Sequence, residues 1–133
     1  MPARFGHTAA LLNGKVLIEG GSDGSATLST ALLYDPIAGT FTATGSLSNA
    51  RRGFTSTVIS TGVLAAGGFN SIGRLASAEQ YQGGAFLASD TMKFARAAHT
   101  ATLLNTGSVL IVGGQGSAGV SIAAAEIFVV NPK

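Results

Sequence analysis

Three arginines, two histidines and a few carboxylates are the residues of this chain whose types and spacing bear on chemistry. Arg4, Arg51 and Arg96 stand 47 and 45 residues apart, each followed four positions on by a threonine, Thr8, Thr55 or Thr100. His7 and His99 share one position relative to their arginines, and Phe54 holds it after Arg51. Two histidines in different repeats with no third ligand fall short of a metal centre, so packing or hydrogen bonding at the start of a strand is the favoured role. Glu79 and Glu126 each precede an aromatic residue by two positions, a register suited to pairing with the arginines. The arginines themselves have two readings: ligand contacts, or structural bonds to backbone carbonyls or to a carboxylate of an adjacent repeat. Glu19 is a single carboxylate in an aliphatic run, suited to a salt bridge or a partly exposed position. Asp23-Gly24-Ser25 offers oxygens without the ligand series of a calcium loop and reads as a turn. Paired carboxylates, a Ser/His/Asp set and a nucleophilic cysteine are all missing from the sequence pattern. No catalytic residue, metal or cofactor is assigned.

Composition narrows the class. Hydrophobic residues make up 46% of the 133 positions and charged residues 11%, the balance of a globular chain and not of a disordered one. Eight Lys and Arg against six Asp and Glu leave a formal charge of +2, spread along the chain. The clustered charge of a nucleic-acid surface is absent, and nucleic acid is not an expected partner. Cysteine does not occur, which excludes disulfides and thiolate metal sites. No apolar run approaches the ~18 to 20 residues of a membrane helix, and MPARFGHTAALL lacks the layout of a signal peptide. The chain reads as soluble, with no membrane partner and no compartment assigned.

The elements that position these residues repeat. VLIEGG, VLAAGG and VLIVGG end in Gly20-Gly21, Gly67-Gly68 and Gly113-Gly114, at intervals of 47 and 46, which points to a repeat architecture. Each glycine pair follows a short strand, and each strand follows another across a tight turn: Asn13-Gly14, Ser60-Thr61-Gly62 and Asn105-Thr106-Gly107-Ser108. That is the sequence form of a β-hairpin. Polar loops come next, over 22–29, 69–75 and 115–120. A third strand ends on Tyr34, Tyr81 or Phe128, rings whose fixed register suits packing between sheets. A fourth strand follows in two copies, 39–43 and 84–88, and the third copy stops at Asn131-Pro132-Lys133 without one. The expected organisation is one domain over 1–133 with repeats at about 4–50, 51–95 and 96–133.

An arginine, a His-Thr pair, a hairpin, a Gly-Gly, a Tyr-Asp-Pro and an aromatic on the last strand, in that order, resemble the kelch repeat across essentially the whole chain. Phe41 and Phe86 stand where kelch repeats commonly carry tryptophan, and Gln82-Gly83 replaces the Asp35-Pro36 of the first copy. The resemblance implies an all-β fold of four-stranded antiparallel propeller blades, the last incomplete, with the first strand of each lining a central channel. It also implies a non-enzymatic interaction module whose polar loops receive a protein, peptide or glycan. Arg4, Arg51, Arg52, Arg74, Arg96, Asp23 and Asn70 are the candidate ligand contacts. Gly20, Gly21, Gly67, Gly68, Gly113, Gly114, Tyr34, Tyr81 and Phe128 are the structural markers. The alternative is a fragment of a carbohydrate-active enzyme like galactose oxidase or a sugar mutarotase, although the copper radical site of the former needs a cysteine.

Three blades do not close a ring that takes about 4 to 8. Two completions are expected with equal weight: self-association, two copies making a six-bladed ring, or the remainder of a longer propeller of which this chain is a part.

Overall fold

Runs of four or five small and apolar residues, punctuated by turn formers, dictate short antiparallel strands. The computed structural model describes residues 1–130, and these form eleven strands in three sheets. In the first blade β1 (Thr8–Leu12), β2 (Lys15–Glu19), β3 (Ala31–Asp35) and β4 (Thr40–Ala43) pair in chain order. The second repeats this with β5 (Thr55–Ile59), β6 (Gly62–Ala66), β7 (Ala78–Gln82) and β8 (Ala85–Ala88). Among the described residues the third contains β9 (Thr100–Leu103), β10 (Val109–Val112) and β11 (Ala125–Phe128), again in chain order. Asn131-Pro132-Lys133, where the third repeat is read as stopping short of a fourth strand, lies outside the described residues. The first hairpin turns on Asn13 and Gly14, both at positive φ, 52° and 77°, the conformation that a two-residue turn matched to strand twist requires.

Because side chains alternate across a strand, each sheet has two faces, and adjacent blades bury one face of each. Leu17 and Ala31 of the first blade pack on Val63 and Tyr81 of the second. One repeat on, Leu64 and Ala78 of the second pack on Val109 and Phe128 of the third. The third-strand rings therefore sit between sheets, as their register predicts, at Tyr81 and Phe128. Leu17, Leu64 and Val109 are fully enclosed, each contributing about 1.5 to 3 kcal/mol of burial.

The loops after the glycine pairs are pinned by the backbone. Phe5, Ser22 and Thr27 form a small bridged ladder in the first blade, Arg52, Phe69 and Arg74 its counterpart in the second, and Ala97, Gln115 and Ser121 in the third. In the third loop Ser117–Gly119 tightens into a 3-10 turn with Ala118 at φ 64°, a departure from the plain loop that the sequence indicates. Among the described residues no helix is long and apolar enough to cross a membrane.

Candidate functional site

The repeated arginines hold the blades together from within. Arg51 donates to the carbonyls of Gly67 and Ser77 at 2.7 and 3.0 Å, and its Nη2 meets Glu79 Oε2 at 3.0 Å. Arg96 does the same with Gly113, Ala124 and Glu126, the last at 2.8 Å. Each arginine thus ties the end of the second strand to the start of the third. The carboxylate then turns outward to the incoming linker, where Glu79 accepts the amides of Ser48 and Asn49 and Glu126 accepts that of Lys93. The arginine–glutamate pairing expected from the sequence is present, within one blade and not between neighbours. In the first blade Leu32 replaces the glutamate, and Arg4 is left with the Gly20 and Thr30 carbonyls and the Thr30 hydroxyl. Arg51 and Arg96 are closed to solvent, so of the three arginines read as ligand contacts these two sit inside their blades and only Arg4 is partly open.

The glycine pairs explain how the neighbouring blade comes close. A Cβ on Gly20 would lie 2.6 Å from the Arg51 carbonyl and 2.7 Å from the Phe54 ring, and one on Gly67 would lie 2.6 Å from the Arg96 carbonyl and 2.7 Å from His99. His99 and Phe54 are therefore the cover over the preceding blade's glycine pair, the packing role expected of the histidines. His7, at the same position in the first blade, is exposed.

Chemical groups at the two seams are divided by the faces of β5. Ser56 and Thr8 hydroxyls both donate to Glu19 in the first seam, while Thr55 bonds His99 Nε2 at 3.0 Å in the second. At these two seams the hydroxyl, imidazole and carboxylate groups therefore do not meet as a nucleophilic set. Burial raises Glu19 to about 7 against the pull of the Ser56 and Thr8 hydroxyls, and burial aided by the Arg96 charge lowers His99 to about 4. Among the described residues no three of His, Asp and Glu gather around a common point.

The polar loops converge on the ladder of the second blade. Arg52, Phe69 and Arg74 are register neighbours there, and their side chains stack: the Arg52 guanidinium lies 4.6 Å from the Phe69 ring centre and that of Arg74 4.9 Å. Arg52 also reaches the Phe5 ring of the first blade at 5.9 Å, and Arg74 Nη2 donates to Gln115 Oε1 of the third at 3.2 Å. Among the described residues neither guanidinium has a carboxylate partner. Beside this strip a cleft of about 670 Å³ is lined by Thr27, Asn49, Arg52, Phe69 and Asn70, among others. Asn70 holds the cleft wall, donating to the Ala50 carbonyl and accepting the Ile72 amide. Asp23 caps its own turn through Ser25 and Ala26, as the turn reading of that segment predicts. Phe5, Phe69 and Gln115 are absent from the sequence-derived candidates. The signal for Phe69 and Gln115 is their place directly after a glycine pair.

Antiparallel sheets of four strands, three among the described residues of the last repeat, mated face to face through glycine-paired ends, define blades of a partial β-propeller. Residues 3–48, the whole first blade, match the family model described as Kelch motif, and the recurrence of its plan in the other two blades is consistent with a kelch-repeat family. No curated protein matches the chain.

Proposed function

We propose that this chain is a non-enzymatic interaction module that receives a carboxylate-bearing partner, protein, peptide or glycan, on its loop face. The observation that carries the reading is the Arg52–Phe69–Arg74 stack: two guanidinium groups held on one ring with no carboxylate among the described residues to neutralise them. Stacking fixes the planar forks at about 0.5 to 1 kcal/mol each at exposed sites, so little side-chain freedom is lost when they engage an anion. Planar guanidinium groups suit bidentate carboxylate recognition. The adjacent cleft, walled by Asn49, Asn70 and Thr27, gives hydrogen-bonding surface for the rest of the partner. Of the sequence-derived contacts, Arg52, Arg74 and Asn70 belong to this surface.

The test is titration calorimetry with acidic and amidated versions of the same peptides, and with acidic and neutral glycans. Binding confined to carboxylate-bearing ligands, weakened at least tenfold in Arg52→Ala and Arg74→Ala and untouched in Lys15→Ala, supports the reading. Equal binding of acidic and neutral probes contradicts it. The partial propeller also needs completion by further blades, which the same reading assigns to another copy or to the rest of a longer propeller.

A further inference from the structure

Each blade offers its successor one face, and the outermost faces of the first and third blades are the unmated versions of those two. The first blade's free face carries Leu11, Val16, Tyr34 and Phe41, with Leu11 66% and Phe41 46% exposed. The third blade's free face carries Leu110, Val112 and Ile127, with Val112 40% and Ile127 52% exposed. By repeat position Leu110 corresponds to Leu17 and Leu64, and Val16 to Val63 and Val109. Leu17 with Val63, and Leu64 with Val109, are the centres of the two existing seams.

Backbone groups at the two ends match in the same way. Across the seams Gly21 donates its amide to the Arg51 carbonyl at 2.9 Å and Gly68 donates to Arg96 at 2.8 Å. The next members of this series are the Gly114 amide and the Arg4 carbonyl, and among the described residues neither has a backbone partner. A second series runs from the Gly53 amide to the Gly6 carbonyl and from the Ala98 amide to the Gly53 carbonyl. It leaves the Ala98 carbonyl and the Gly6 amide at opposite ends. Gly113 shows the unfilled place most plainly: its backbone has the φ of Gly20 and Gly67, yet a Cβ there would meet only the Ile122 carbonyl, at 3.8 Å. The carbonyl and ring that crowd the other two glycines are what the Arg4–His7 segment of an incoming blade would bring.

We infer that a second copy of this chain seats its first blade on the third blade of the first copy, Leu110 against Val16 and Gly114 N–H to Arg4 C=O, and that the reciprocal contact closes a six-bladed ring. The inference deepens the completion part of the proposed function and rests on it. Unlike ends meet, so the contact is heterologous and is stable where the rotation closes. Two copies bring six blades, within the range of about 4 to 8 that closes.

Inner-strand geometry supplies the test. Thr8 Oγ1 and Ser56 Oγ touch across the first seam at 2.6 Å, and their counterparts across the closing seam are Thr100 of one copy and Ala9 of the other. The native chain has no cysteine. Short side chains with γ atoms in contact have the reach that a disulfide requires. Ala9→Cys and Thr100→Cys chains, co-expressed in otherwise unaltered protein and mildly oxidised, are expected to form a covalent dimer, while each alone stays unlinked. No link in the mixture, or a link in Thr100→Cys alone, overturns the inference. Arg52→Ala in the same chains is expected to leave linking unchanged. Linking without carboxylate-selective binding in chains that keep Arg52 therefore faults the loop reading alone, and selective binding without linking faults the ring alone.

Discussion

Arg51 Nη2 and Glu79 Oε2 lie 3.0 Å apart with both side chains closed to solvent. The pair binds the second blade's strand ends to the linker from the first. Removing one member of a buried pair strands the other charge, at a cost of about 3 to 5 kcal/mol. Glu79→Ala is expected to lower stability by that amount in a denaturant melt. The first blade lives with Leu32 at this position, so a Glu79→Leu, Arg51→Met double variant is expected to recover part of the loss. A double variant as unstable as Glu79→Ala would count against a burial penalty as the cause.

The two seams oppose each other in pH. Glu19 has its folded pKa raised to about 7 from 4.5, so the folded state holds the proton more tightly and stability falls as pH rises through this window. His99 has its folded pKa lowered to about 4 from 6.5, so the unfolded chain takes up the proton first and stability falls as pH drops through that window. The windows overlap between 4.5 and 6.5, and there the two slopes offset one another. Glu19→Gln is expected to expose the His99 slope, with stability lost on acidification from 6.5 to 4.5. His99→Phe, which copies Phe54 of the second blade, is expected to expose the Glu19 slope, with stability lost as pH rises to 7. Thermal melts across this range check both, and parallel profiles in the two variants would refute the assignment.

Crowding and backbone strain separate at two glycines. Gly68 has φ +92°, and a Cβ there would lie 2.7 Å from the Arg52 carbonyl and 2.8 Å from Phe54 Cβ. Gly24 has φ +98° with open space around it. Gly24→Ala is expected to cost about 1 kcal/mol, the conformational term alone. Gly68→Ala is expected to exceed it by about 1 to 3 kcal/mol. Equal losses in chemical denaturation would show that contact with the Arg52–Phe54 segment of the same blade does not select the glycine.

Ala98 gives a change in the opposite direction. It stands where the other blades have Gly6 and Gly53, and it shares their left-handed backbone at φ 56°. Relief of that conformation predicts that Ala98→Gly stabilises the protein by about 0.5 to 1 kcal/mol. A neutral or destabilising result in the same melt would contradict it.

The strands, their order and the glycine ends were legible because a motif returned three times multiplies a weak signal. Tyr81 and Phe128 could be placed between sheets on register alone, while Tyr34, in the same register, lies on the outer face of the first blade with no sheet described against it. The arginines were harder, since spacing shows that Arg51 and Glu79 share a repeat but not which side of a sheet encloses them. Phe69 stayed hidden because its importance arises from a backbone bridge to Arg52 and Arg74, residues 17 positions before it and 5 after, a ladder that no local periodicity marks. Similarly, Ser56 meets Glu19 only because consecutive blades stack.

The mass of the chain in solution tests the central claim, that these are blades of a partial propeller whose unlike ends mate. Light scattering on the 133-residue protein is predicted to give twice the 13.2 kDa of one chain. A stable, folded species of 13.2 kDa that persists as concentration is raised would contradict it.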